Sequence, residues 1–172
     1  MNRLAAALYN LAPVWGQNLI LSGYSLLLDR ERYGERFRGF KDLLAKTEWY
    51  SESELLAYQD ERLRATIAHA YETVPFYRRR FDECKLKPAD ICGQRDLPKI
   101  PLLTRDEVRA HFCELWSSRI PQGARKTGHT SGTTGTPLTV GYDDQTIGMA
   151  YAALDRHYRW AGCRLARDGI RM

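Results

Sequence analysis

An α/β fold is expected, with a mostly helical part over residues 1–120 and a strand–loop–strand–helix unit over residues 125–161. Three observations carry this. Ser51 with Glu54 and Thr104 with Glu107 have capping-box spacing, which marks helix starts. Residues 125–130 and 138–142 read as two short strands, the second being Leu-Thr-Val-Gly-Tyr with β-branched and aromatic content. After them Ile147, Tyr151, Leu154 and Tyr158 recur at helical spacing, with Asp143 or Asp144 placed to cap that helix.

Length and composition set the class. A chain of 172 residues corresponds to about one domain and could bury roughly 70% of its unfolded surface. Hydrophobic content of 44%, charged content of 27% and a mean hydropathy of −0.50 are those of an ordinary globular piece. No repeat, low-complexity tract or Gly/Ser linker divides it. Cys84, Cys92, Cys113 and Cys163 contain no C-x-x-C pair and no zinc-type histidine spacing. Reduced, mostly buried thiols in a cytoplasmic protein are therefore expected, with no metal ligands.

The N-terminus carries two apolar runs, residues 4–12 and 19–28. Asn10, Pro13, Gln17 and Asn18 interrupt them, so no stretch reaches the roughly 20 uninterrupted apolar residues of a membrane span. A clean signal-peptide core is also lacking. Two helices packed onto the body are expected, with at most a peripheral contact to a membrane assembly.

Next, Leu56, Leu63, Ile67, Ala70, Tyr71 and Val74 place one apolar face on the helix that Ser51 opens, and Pro75 should end it. Residues 85–101 contain three prolines and read as an extended surface connection. Thr104 and Glu107 then open a short helix through Val108 and Phe112. The densest basic cluster, Arg78-Arg79-Arg80, lies beside Tyr77 and Phe81. A nucleic-acid surface would use such a cluster, but a solvated helix face with Phe76, Tyr77 and Phe81 turned inward needs no partner and is preferred. His111 and His157 read as surface or packing residues, and His129 as structural.

The stretch Thr130-Ser131-Gly132-Thr133-Thr134-Gly135-Thr136-Pro137 carries the chemistry. Residues 130–136 hold five hydroxyl side chains and two glycines. Glycine lets the backbone approach a ligand closely, and exposed N–H and O–H groups donate to anionic oxygens, so a polyphosphate is the natural occupant. The spacing is not a Walker A loop: only Thr133 and Thr134 separate the glycines, and no lysine follows. Nor is it G-x-G-x-x-G. The G-x-S-x-G elbow fails by one place at Gly128-His129-Thr130-Ser131-Gly132, which leaves a Ser131–His129 hydrolase poorly supported. By composition alone the stretch also fits a hydroxyl-rich hairpin turn.

The string His-Thr-Ser-Gly-Thr-Thr-Gly-Thr-Pro-Leu over residues 129–138 resembles the phosphate loop of adenylate-forming enzymes, the acyl-CoA synthetase and luciferase-like superfamily. Two upstream strings, from His69 through Val74-Pro75-Phe76-Tyr77-Arg78 and from Asp96-Leu97-Pro98-Lys99 through Thr104-Arg105, narrow it. They are similar to the phenylacetate–coenzyme A ligase branch and its relatives assigned to capsular polysaccharide biosynthesis. The resemblance runs over about residues 13–162.

It implies that residues 1–172 are the N-terminal part of a large AMP-binding domain, ending after its first strands. In the complete enzyme ATP and a carboxylic acid would form an acyl-adenylate and pyrophosphate, with magnesium, and coenzyme A or another acceptor would take the acyl group. Thr130, Ser131, Gly132, Thr133, Thr134 and Gly135 would hold the β and γ phosphates, and Thr136 and Pro137 would shape the loop exit. The family's adenine and ribose contacts, magnesium-binding acid, hinge and catalytic lysine have no match here. The resemblance therefore implies a fragment inactive by itself, with no catalytic residue in the chain. Leu138 stands where many members carry lysine, and Gly162 through Asp168-Gly169 fits the family only loosely. A fragment should self-associate through apolar surface at Tyr142, Met149, Leu154 and Trp160. The alternative is a non-enzymatic truncated relative that binds a partner or has no function.

Overall fold

The computed structural model describes residues 9–131 and 135–163. They are mostly helical with one small sheet, and fall into two compact units, Met1–Ala45 with Asp144–Met172, and Lys46–Asp143.

The first unit contains α1 (Val14–Arg32), α2 (Glu35–Thr47) and α6 (Asp144–Trp160). Its core joins Phe37 and Leu44 of α2 to Ala152 of α6, with Tyr33, Phe40, Tyr151 and Ala153 packed around them. Tyr33 lies edge-on to both Phe37 and Tyr151, with centroids 5.2 and 5.6 Å apart. The inward line of α6 differs from the expected one. Gly148, Ala152 and Asp155 are buried, whereas Ile147, Tyr151, Leu154 and Tyr158 are half-buried. Small residues let α6 approach closely: a Cβ on Gly148 would sit 3.0 Å from Arg36 Cβ and 3.2 Å from the Phe37 nitrogen. Apolar periodicity marks large side chains and misses such a seam. Buried Asp155 is offset by Arg159 one turn on, at 3.2 Å.

α1 departs further from expectation, because it buries no side chain. Of the surface predicted for α6, Met149 and Trp160 are exposed, and Leu154 is half-buried. Among the described residues no helix is long and apolar enough to cross a membrane.

The second unit starts with α3 (Glu52–Thr73). Ser51 caps it reciprocally with Glu54, as the sequence predicts: the Glu54 nitrogen donates to Ser51 Oγ and the Ser51 nitrogen to Glu54 Oε2. Pro75 ends α3 and begins α4 (Pro75–Glu83), because proline needs no N–H in a first turn and holds Val74 extended. Thr73 is buried at this corner. Its hydroxyl donates to the His69 carbonyl and accepts from Ser117 Oγ, while its carbonyl accepts from the Ser118 nitrogen. α4 ends where Lys85 takes a positive φ of 56° and the Leu86 nitrogen donates back to the Phe81 carbonyl.

The core here is Ile67, Phe81 and Ile91, ringed by Leu63, Tyr71, Leu86 and Ile100. Two expectations fail around it. Leu56 is exposed, since the apolar face of α3 finds cover only from Leu63 onward. Residues 85–101 are not an extended surface connection. They coil into 3₁₀ turns at Pro88–Asp90 and Gln94–Lys99 and insert Ile91, which is 1% exposed. Pro88 takes the first position of its turn, where its missing N–H costs nothing, while Pro98 sits inside the second turn, so a proline-rich tract need not be extended. The cysteines are also not mostly buried: Cys84, Cys92 and Cys113 are exposed and Cys163 is half-buried.

α5 (Arg105–Ala110) follows the Thr104–Glu107 capping box and stops short of Phe112, where a 3₁₀ turn, Phe112–Leu115, takes over. The sheet pairs β1 (Lys126–His129) with β2 (Thr139–Tyr142) in antiparallel register.

Phe81 and Ile91 are the most deeply buried large side chains among the described residues. Phe81→Ala is predicted to cost about 3–5 kcal/mol through lost burial and the cavity left behind. Urea denaturation measures this, and a loss below about 1 kcal/mol would contradict the assigned core.

Candidate functional site

The loop is set by its two strands. Lys126 faces Tyr142, Thr127 faces Gly141, Gly128 faces Val140 and His129 faces Thr139. One further rung closes the base: the Thr130 nitrogen donates to the Leu138 carbonyl at 3.0 Å, and the Leu138 nitrogen donates to Thr130 Oγ1 at 3.0 Å. Thr130 thus spends its hydroxyl on fixing the neck of the loop. His129 Nδ1 and Thr139 Oγ1 are 3.2 Å apart across the strands, which gives the histidine a structural partner.

Beyond the neck, Ser131, Gly135, Thr136 and Pro137 are exposed. Gly135 has φ of 153°, in the region that disfavours side chains, so its place in the motif has a backbone reason. Gly132, Thr133 and Thr134 lie outside the described residues. The structure therefore brings Thr130, Ser131 and Gly135 to one hairpin end.

A side chain missed by the sequence reaches this end. Arg109, in the last turn of α5, donates from Nη2 to the Thr136 carbonyl at 2.8 Å and from Nη1 to Asp106 Oδ1 at 2.9 Å. α5 is well anchored. Glu107 accepts from the Thr104 nitrogen and hydroxyl, each at 2.8 Å, and from Arg80 of α4. Arg80 also donates to the Leu102 carbonyl at 2.9 Å. The Thr104 backbone N–H, then the Arg80 guanidinium, hold the Glu107 carboxyl well below its usual range, at about 2.

Beside β2 runs an apolar groove of about 360 Å³, lined by Tyr77, Leu103, Phe112, Trp116, Leu138 and Val140 among others. Trp116 lies on Gly141 so closely that a Cβ there would stand 2.6 Å from Trp116 Cη2, and Arg125 stacks on the indole 5.2 Å from a ring centroid. The arginine cluster of α4 is engaged within the unit. Arg78 lies over Tyr71, Arg79 pairs with Glu114 and Glu83, and Arg80 pairs with Glu107. A second cleft, of about 650 Å³, holds Tyr71, Arg78 and Asp82. There Lys87, then the Tyr71 hydroxyl, pull the Asp82 carboxyl below its usual range. Among the described residues no group of three or more His, Cys, Asp and Glu could hold a metal ion.

Three phenylacetate–coenzyme A ligases are similar to this chain. That of Thermus thermophilus is 37% identical over 112 residues, or 64% of this chain and 25% of the relative. That of Pseudomonas putida is 37% identical over 123 residues, 71% of this chain and 28% of the relative. That of Escherichia coli K12 is 38% identical over 113 residues, 65% and 26% respectively. No family model matches the chain. The chain spans about a quarter of the length of these curated relatives, and over about two thirds of its own length it is their homologue.

Glu107 supplies a pH test. Its depressed carboxyl favours the folded state above the unfolded pKa of about 4.5, and that contribution disappears as pH falls through about 2. Glu107→Gln should therefore be less stable than the natural chain at neutral pH, with the gap closing below pH 4.5. Urea melts across that range measure it, and a gap independent of pH would contradict the Arg80–Glu107 assignment.

Proposed function

We propose, from the chain's kinship with phenylacetate–coenzyme A ligases, that it is the N-terminal part of an ATP-dependent carboxylate-activating ligase and is inactive by itself. The identity to these enzymes over about two thirds of the chain carries this reading. The exposed glycine–hydroxyl hairpin end supports it. In the complete enzyme ATP and a carboxylic acid would give an acyl-adenylate and pyrophosphate, with magnesium as the phosphate counter-ion and coenzyme A or a related thiol as acceptor. Membership of the capsular polysaccharide branch belongs to the same proposal and rests on the upstream motifs alone.

Thr130, Ser131, Gly132, Thr133, Thr134 and Gly135 are proposed to hold the β and γ phosphates. Thr130 contributes by fixing the neck through Leu138, and Ser131 and Gly135 present donors at the exposed end. The loop's share in the chemistry is to orient the triphosphate and stabilise the departing pyrophosphate. Hydrogen bonds to a charged group contribute about 1.5–3 kcal/mol each, against an association cost of about 4–15 kcal/mol. The chain alone is therefore expected to hold ATP weakly. The exposed apolar residues of α1, among them Trp15, Leu19, Leu26 and Leu27, extend the proposal to self-association when the chain is made alone.

ATP–pyrophosphate exchange with aryl, fatty and amino acids tests the reading. Residues 1–172 should give no exchange. A chain extended by downstream coding sequence should exchange, and lose exchange by at least about a hundredfold when Gly132 and Thr133 are replaced. Robust exchange by residues 1–172 alone would show a complete enzyme. An extended chain indifferent to those substitutions would remove the phosphate role. The coding sequence past Met172 separates this reading from a non-enzymatic relative: family-like sequence, in frame or after a one-base shift, supports the ligase.

A further inference from the structure

We propose that Arg109 is a positioning residue of the phosphate-holding loop, fixing the loop exit through Thr136 and supplying the positive charge that the loop lacks. The inference rests on the reading of that loop given under the proposed function. Residues 130–137 contain no charged side chain. Neutral donors leave the net negative charge of the anion uncompensated, and a guanidinium adds a Coulombic attraction that they cannot supply. Arg109 places a guanidinium against the loop by its 2.8 Å bond to the Thr136 carbonyl.

The placement is built from both sides. On the loop side, Thr130 and Leu138 are paired through two hydrogen bonds, so Thr136 and Pro137 leave a fixed neck. On the helix side, Glu107 closes the capping box and holds Arg80, which stops α5 from pivoting at its start. Arg109 has five N–H donors in a planar fork, and its bonds to Thr136 and Asp106 do not exhaust them. One edge of the fork can hold the carbonyl while another faces an oxygen of the anion. The opposing charge of Asp106 is 93% exposed and therefore screened by solvent.

The test measures binding of inorganic tripolyphosphate to the 172-residue chain, together with amide hydrogen exchange of peptides covering residues 125–142. Arg109→Ala removes tether and charge. It should weaken tripolyphosphate about tenfold and speed exchange at the loop exit, while α3 keeps its protection. Arg109→Gln keeps a donor for Thr136 without charge, and should lose affinity while retaining most of the loop protection. Arg109→Lys should recover most of the affinity.

Arg109→Gln binding as tightly as the natural chain would overturn the charge, and unchanged loop exchange in Arg109→Ala would overturn the tether. Should Arg109→Ala loosen α3 as well, the Gln and Lys variants decide, because equal affinities for those two also overturn the inference. Failure of the natural chain to bind tripolyphosphate overturns the phosphate reading itself, and the inference with it. The natural-chain measurement thus tells the two failures apart.

Discussion

The ion pair between Arg80 and Glu107 is the joint on which the surroundings of the loop depend. Glu107 closes the capping box that starts α5, and Arg80 brings in α4 while also holding the Leu102 carbonyl. Charge-assisted bonds of this kind are short and directional, so they fix the orientation of a helix that is only six residues long. Such a helix has little stability of its own. What it does is carry Arg109 to Thr136. A defect at Glu107 would therefore be felt at the loop exit, although its side-chain hydrogen bonds among the described residues go to Thr104 and Arg80.

The same economy appears at the hairpin. Its two strands, of four residues each, form a two-stranded hairpin, which in isolation is marginally stable at best in water. Support comes from Trp116 lying on Gly141 and from Arg125 on the indole, which bind the sheet to the segment after α5. The neck of the loop thus rests on Trp116, from the segment after α5, and on Arg125, which directly precedes β1. A rigid neck with an open end suits a task of orienting a flexible triphosphate, because little ordering remains to be done at the neck.

Both capping boxes, the break at Pro75 and both strands could be read from the chain because each depends on residues only a few positions apart. Ser51 needs only Glu54, and Val74 needs only Pro75. Other features depend on distant partners and left no local signal. Arg109 lies 27 residues from Thr136, and Gly148 is small because Arg36 and Phe37 pass behind it. Ile91 was hidden in a proline-rich tract that coils rather than extends. The exposed cysteines show the same limit: thiols are usually buried by habit of type, but here the apolar residues around Phe81 fill the core first. For the candidate site, the motif was legible and its second support was not.

The central claim is that residues 130–137 hold a polyphosphate. An amide NMR titration of the chain with ATP, tripolyphosphate and adenosine in turn tests it most directly. Polyphosphate held there should shift signals of residues 130–138 and of the Arg109 side chain with ATP and with tripolyphosphate, and adenosine should shift none. Shifts centred instead on the cleft around Tyr71, Arg78 and Asp82, or no shifts from either polyphosphate, would contradict it.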